Sequence, residues 1–241
     1  MAVKEYGVEI VLVGDEKQIR SLAQQKGLAL DGIQIVDAPD AISMHDDPGE
    51  IIKSKKDCSM AVGLRMVAEA KGDAFVSAGS TGALVVGATF LVKRIKGIKR
   101  AALAACVPTP DGQYLLLDSG ANVECRPEML ETFGIMGSVY MEKVIGVEKP
   151  RVGLLNVGTE ETKGGELQRQ AYALLQAAPV HFIGNVEARD VPAGACDVLV
   201  TDGFSGNVVL KLTEGAAITM MGMLKGAFLS STKGKLAALL A

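Results

Sequence analysis

Short apolar runs recur along the chain, each closed by Gly and small polar residues and followed by a helical pattern. They cover residues 8–13, 74–77, 114–117, 152–155, 180–183 and 198–201. Runs of this length that are apolar on both faces predict buried parallel strands. Helix-period segments lie between them. Over residues 83–95, Leu84, Ala88, Leu91, Val92 and Ile95 make one apolar face, while Lys93, Arg94 and Lys96 gather at the C-terminal end, where the helix dipole favours cations. Alternating strands and helices predict an α/β fold: a three-layer α/β/α sandwich around a doubly wound, mostly parallel sheet.

Toward the C-terminus the pattern changes. Over 215–241, Ile218, Met221, Met223, Leu224, Ala227 and Phe228 predict a helix that is apolar around much of its circumference. A break at 230–234 precedes a second apolar run with Leu236, Leu239 and Leu240. Docking on the sheet would cover only the first face of such a helix; the remainder needs a partner. Two turns echo each other 124 residues apart: Gly79-Ser80-Thr81-Gly82-Ala83-Leu84-Val85 and Gly203-Phe204-Ser205-Gly206-Asn207-Val208-Val209. Each follows an apolar run and is expected to open a helix. The stretch 107–112, with Pro108 and Pro110, reads as a hairpin or loop, not a domain boundary.

Composition narrows the function classes. Gly supplies 28 of 241 residues, against ~7% in an ordinary chain, without a collagen-like period. The excess therefore belongs to turns and close backbone approaches. A net charge of −3 argues against a nucleic-acid binder, which would carry a basic surplus. Four scattered Cys and two His, His45 and His181, form no zinc-ligand spacing. Free thiols, no secretory start and no run approaching ~20 uncharged apolar residues predict a cytoplasmic chain.

The strand ends carry Gly, Ser, Thr, Asn and Asp. In an open parallel sheet the ligand crevice lies beyond the carboxyl ends of the strands, and helix N-terminal amides there attract anions such as phosphate. Taken one at a time, such loops are ordinary turns and caps. Five of them at one expected edge point to a site. The chain has no G-x-G-x-x-G, no G-x-x-x-x-G-K-[ST] and no G-x-S-x-G, so dinucleotide, P-loop and nucleophile-elbow chemistry lack their signatures. An enzyme built this way works by positioning and electrostatics.

The strings Asn156-Val157-Gly158-Thr159-Glu160-Glu161-Thr162-Lys163-Gly164 and Phe182-Ile183-Gly184-Asn185-Val186-Glu187-Ala188-Arg189-Asp190 resemble the bacterial phosphate acyltransferases of phospholipid synthesis, the phosphate:acyl–acyl-carrier-protein acyltransferases. The likeness continues through 77–84, 116–122, 135–140 and 200–207, in order. It implies one acyltransferase domain over 1–241, on a fold like isocitrate and isopropylmalate dehydrogenases. It also implies a chain that starts after the family's first strand, with its D-x-M-G-G-D, and stops before its Y-G-G-A and H-G-S-S motifs. Ser80 stands where Asn is common, and Cys58 where Ser is common.

The implied reaction transfers a long-chain acyl group from acyl-carrier protein to inorganic phosphate, giving acyl phosphate for glycerol-3-phosphate acylation, with no cofactor and no metal. Candidate catalytic residues are Lys163, Asn185, Asn207 and Asp202. Candidate substrate-binding residues are Gly79, Ser80, Thr81, Gly82, Asp118, Gly120, Asn122, Asn156, Gly158, Glu160, Gly203, Ser205 and Gly206. Lys163 either neutralises phosphate or is a solvated lysine. Asn185 and Asn207 either donate to substrate oxygens or cap turns, and Asp118 and Asp202 either orient donors or cap helices. Glu160 and Glu187 are expected to pair with Lys163 or Arg189. Lys53, Lys55 and Lys56 make either a solvated face or one that docks the acidic carrier protein. Further expected partners are a second copy of the chain, the membrane surface met through the C-terminal helices, and the membrane glycerol-3-phosphate acyltransferase. The competing readings are a phosphotransacetylase using coenzyme A thioesters and a non-catalytic scaffold.

Overall fold

The computed structural model describes residues 2–229. The chain divides into two compact units, Met1–Ala101 and Ala102–Ala241. In the first, α1 (Ala2–Tyr6) precedes β1 (Val11–Gly14), α2 (Glu16–Gln25) and β2 (Gln34–Asp37). β1 and β2 pair in parallel, Val11 with Gln34 through Gly14 with Asp37, and α2 makes the crossover, started by Asp15, whose carboxylate accepts from the Gln18 amide. A 3-10 turn (Pro48–Ile52), α3 (Ser59–Ala68) and α4 (Thr81–Gly87) follow, with α4 ending in a π turn (Ala88–Val92). Their apolar sides close a core of Ile51, Cys58, Met60, Ala61, Leu64 and Ala83.

Two expectations change in this unit. The run 74–77 is not a strand: Phe75 packs on the core while Val76 is 92% exposed. One anchoring ring supplies its hydrophobic signal, not two buried faces. The helix expected over 83–95 starts at Thr81 and ends with the π turn at Val92, where Lys93 turns the chain at φ +74.

The second unit holds a five-stranded sheet in the order β3-β4-β7-β5-β6, made of β3 (Ala104–Thr109), β4 (Gly112–Leu117), β5 (Arg151–Asn156), β6 (His181–Glu187) and β7 (Val198–Val200). β3 and β4 form an antiparallel hairpin through Pro110 and Asp111; the other pairings are parallel. Pro108 is tolerated because β3 is an edge strand, where a missing N–H breaks no second ladder. α5 (Pro127–Tyr140) and α6 (Glu166–Ala177) are the crossovers on either side of β5.

Side chains alternate between two cores, as the pleat requires. Leu115, Leu117, Val152, Leu154, Val198 and Val200 face Leu130, Phe133 and Leu175 of α5 and α6. Tyr114, Leu116, Val186 and Leu199 face Val191, Cys196 and Leu210. The mostly parallel α/β sheet of the sequence reading is present. At the starts of β5 and β7, the Arg151 guanidinium and amide both donate to Asp197. Burial pushes the Asp197 carboxyl up, but these hydrogen bonds outweigh it and hold it below the usual carboxylate range.

α7 (Gly203–Leu229) opens at the 203–209 turn, as expected, and runs unbroken for 27 residues into the apolar segment expected from residue 215 onward. From 211 onward it is exposed apart from half-buried Thr213, with Ile218 74% and Met223 70% accessible. The expected docking of one apolar face on the sheet is therefore not what this helix does among the described residues: only its first turns meet the sheet. The expected apolar run at Leu236, Leu239 and Leu240 lies outside the described residues. Among the described residues, no helix is long and apolar enough to cross a membrane.

Candidate active site

Parallel pairing sets the carboxyl ends of β4, β7, β5 and β6 side by side, so the segments 118–122, 201–207, 156–165 and 187–190 share one edge. Asp118 organises the first. It is completely buried, and its carboxylate accepts from the amides of Leu103, Gly120, Ala121 and Asn122 and from Asn122 Nδ2, at 2.7–3.1 Å. Asp118, Gly120 and Asn122 thus form a rigid loop whose charge is balanced by its own amides.

That loop seats α7. The Gly203 amide donates to the Asn122 carbonyl (2.8 Å), and Asn207 Nδ2 donates to the Ser119 carbonyl (3.1 Å). Asp202 caps the helix, accepting from the Ser205 amide at 2.8 Å. A Cβ on Gly203 would lie 2.6 Å from the Asn122 carbonyl oxygen, and one on Gly206 would overlap the Asp118 carbonyl. The two backbones meet with no room for a side chain.

Beyond β5, Asn156 holds the loop to Lys163. Its Oδ1 accepts from the Val157 amide (2.8 Å) and its Nδ2 donates to the Lys163 carbonyl (3.1 Å). Asn185 of β6 braces the same loop, donating to the Glu160 carbonyl at 2.8 Å, while its buried Oδ1 has no protein partner. Lys163 is half exposed and stands 3.9 Å from Glu160, a loose pair, near Gly158. Arg189 pairs with Glu187 at 2.8 Å. The expected pairings of both glutamates are present.

Between the starts of α6 and α7 opens a cleft of about 370 Å³. Asn156, Asp202 and Ser205 line it among the expected residues, together with Gly164, Gly165 and Thr201. The rest of its lining is mostly apolar, including Leu130, Leu154, Leu155, Phe204, Val208 and Val209. The sequence reading missed these residues. Their signal was present in Phe204 and Val208, apolar residues four apart at an exposed helix start. Lys163 stands in the loop after β5, Asn185 on β6 and Asn207 in the first turns of α7, and both asparagine amides are spent on backbone carbonyls. Gly79, Ser80, Thr81 and Gly82 lie in the first unit, where Ser80 caps α4 by accepting from the Ala83 amide at 3.3 Å.

Among the described residues, no cysteine and no histidine lines the cleft. Cys125 contacts the Asn122 carbonyl, but burial pushes its thiol up to about 11; burial pushes Cys196 up to about 12. Both remain protonated and unreactive at neutral pH. His181 begins β6, at the opposite end of the strands, with Nδ1 3.3 Å from the Lys149 carbonyl. His45 is exposed in the first unit.

A family model described as fatty acid synthesis protein matches residues 1–241. The chain belongs to this family. It is 51% identical over 241 residues to a protein named phosphate acyltransferase from Oceanobacillus iheyensis, with 99% of this chain and 71% of that protein covered. To the phosphate acyltransferase of Acetivibrio thermocellus it is 47% identical over 234 residues, covering 97% of this chain and 69% of the relative. With such relatives the chain is an enzyme, an acyltransferase, and acyl transfer involving phosphate is the activity they support. Solved structures agree on the fold. The EutD phosphotransacetylase from Staphylococcus aureus has a TM-score of 0.65 at 19% identity, covering 90% of this chain and 77% of that one. A phosphotransacetylase from Streptococcus pyogenes also has 0.65, at 18%, covering 90% and 76%.

Proposed function

We propose that this member of the fatty acid synthesis protein family moves a long-chain acyl group from acyl-carrier protein to inorganic phosphate. The products are acyl phosphate, the donor for glycerol-3-phosphate acylation, and free carrier protein. The observation that carries the reading is the cleft in the second unit. Two helix starts, Asn156, Asp202 and Ser205 line it together with apolar side chains, and Lys163 stands in the adjoining loop. Polar groups suited to an anion and apolar surface suited to an alkyl chain thus occur in the lining of one cleft.

The chemistry asks little more. Phosphate oxygen forms a bond to the thioester carbonyl, the tetrahedral oxyanion collapses, and the C–S bond breaks to release a thiolate whose pKa near ~8.5 makes it a good leaving group. Holding phosphate beside the carbonyl and stabilising the oxyanion are the two tasks. Lys163 neutralises phosphate, with the amides of the 156–165 loop and the α6 and α7 starts beside it. Asp202 and Asp118 orient those donors. Asn185 and Asn207 hold the two loops in register. The exposed apolar stretch of α7 makes a homodimer contact and brings the enzyme to the inner membrane surface, where the glycerol-3-phosphate acyltransferase uses its product.

The deciding measurement is phosphate-dependent release of carrier-protein thiol by the 241-residue chain, compared with the same acyl group on coenzyme A. Lys163→Ala should raise the KM for phosphate about ten- to hundredfold, the loss of one charge-assisted contact of roughly 1.5–3 kcal/mol. The KM for acyl-carrier protein should barely move. An unchanged phosphate KM makes Lys163 a surface residue, and faster turnover of acyl-coenzyme A replaces the carrier-protein reading. For α7, light scattering should give a dimer that Met221→Glu with Leu224→Glu converts to monomer; a monomeric wild type removes that contact.

A further inference from the structure

Between Asp73 and Asp111 the chain has no acidic residue. Five cations of that stretch, Lys93, Arg94, Lys96, Lys99 and Arg100, fall within eight residues just after the π turn that ends α4. All five are exposed, and Ile95 among them is 81% exposed. None forms an ion pair among the described residues. The segment is nevertheless a defined turn: the Lys93 amide donates to the Ala88 carbonyl (2.9 Å), the Ile98 amide to the Ile95 carbonyl (3.0 Å), and Arg94 Nη1 to the Lys99 carbonyl (2.8 Å).

In a chain of net charge −3, this concentration repels itself and gains no ion pair among the described residues. Fixed cations around one exposed aliphatic side chain complement an acidic protein surface that carries an apolar residue of its own. Such complementarity governs encounter rate and partner choice. The basic cluster at Lys53, Lys55 and Lys56 is less available. Lys55 donates to Asp46 (2.9 Å) and to the Ala41 carbonyl (2.8 Å), and this bond holds the Asp46 carboxyl down at about 2. We infer that the 93–100 turn is the docking surface for the acidic acyl-carrier protein, an inference that rests on the carrier protein being the acyl donor. Attraction to a plane of anionic headgroups needs only a polybasic run; a turn held by three hydrogen bonds suits a discrete partner.

The experiment is binding of acyl-carrier protein to the whole chain by fluorescence anisotropy at several salt concentrations, for wild type and for Lys96→Glu/Lys99→Glu/Arg100→Glu. Arg94 is left in place because its guanidinium closes the turn. The triple variant should weaken binding about ten- to hundredfold and lose most of the salt dependence. Its melting temperature, phosphate KM and turnover of an acyl-pantetheine donor should stay within about twofold or a few degrees. Ile95→Asp should weaken carrier binding without changing the number of cations, while Lys53→Glu/Lys56→Glu should leave it unchanged. Unchanged carrier affinity in the triple variant overturns the inference. So does loss of binding to phosphatidylglycerol vesicles with carrier affinity intact, which places the turn at the membrane. A wild type that binds carrier protein through this turn yet releases no thiol with phosphate would instead overturn the reading of the reaction and leave the docking surface standing.

Discussion

The turns at 79–85 and 203–209 share a sequence pattern and both open helices, yet the two units ask different things of them. At 203–209 the neighbours of the glycines are backbone atoms of the 118–122 loop, fixed by the five bonds to Asp118. At 79–85 a Cβ on Gly79 would meet Met60 Cε, and one on Gly82 would meet Pro48 Cγ, each at 2.9 Å. A methionine end rotates and a proline ring puckers, whereas a carbonyl held by its own loop does not move. A Gly-x-[Ser/Thr]-Gly string announces a helix start; what stands opposite decides whether the glycine is compulsory.

The largest effect should come from the residue that makes the second turn rigid. Asp118→Ala removes the acceptor of four backbone amides and of one Asn122 side-chain bond, in a completely buried place. Uncompensated groups of this kind cost about 3–5 kcal/mol. At roughly 2–4 °C per kcal/mol for a chain of this size, melting should fall by about 6–20 °C, with activity lost as the α7 seat loosens. A change of only a degree or two would mean that water replaces the carboxylate, and the contrast between the turns would weaken.

Gly206→Ala comes next, at about 3 kcal/mol, because the added methyl overlaps a fixed carbonyl. Gly82→Ala should stay within about 1 kcal/mol of wild type, since the helix preference of Ala offsets a small adjustment of Pro48. Thermal unfolding of the two variants side by side reads the contrast directly. In an Asp118→Ala background the cost of Gly206→Ala should shrink, because the opposing loop is then free to yield. Equal costs at Gly82 and Gly206 would break the comparison.

How far these differences are visible in sequence depends on what each residue faces. Four of the five strands of the second unit's sheet announce themselves, because β4, β5 and β7 are largely apolar and β6 begins with an apolar run, and all four put side chains into the two cores. β2 and β3 do not: β2 is a four-residue strand with polar ends, and β3 carries a proline that only an edge position permits. The run around Phe75 misleads for the converse reason, since one buried ring in an irregular segment imitates a strand. The loops of the candidate site are legible as Gly, Asn and Asp at strand ends. What the string of letters hides is direction. Asp118 turns inward to its own amides and Asn185 braces a loop, while Phe204 and Val208 turn toward the cleft.

The smallest effect separates helix capping from chemistry at the two turns. Ser80 accepts from Ala83 at 3.3 Å and Asp202 from Ser205 at 2.8 Å, each satisfying one amide at the start of its helix. Replacing either by Ala costs about 1 kcal/mol, with Asp202 at the upper end because its bond is shorter and its charge faces the positive end of a 27-residue helix. Stability alone therefore does not distinguish the two. Activity should: Asp202 lines the cleft beside Asn156 and Ser205, so Asp202→Ala should lower kcat/KM for phosphate more than its small loss of stability accounts for. Asp202→Asn keeps the capping oxygen and removes the charge. If it restores both stability and rate, capping is the whole contribution of Asp202; if it restores stability and leaves the rate low, the carboxylate acts on the donors around phosphate. Ser80→Ala, assayed below its melting transition, gives the size of a cap lost with no change of charge, against which the Asp202 pair is read.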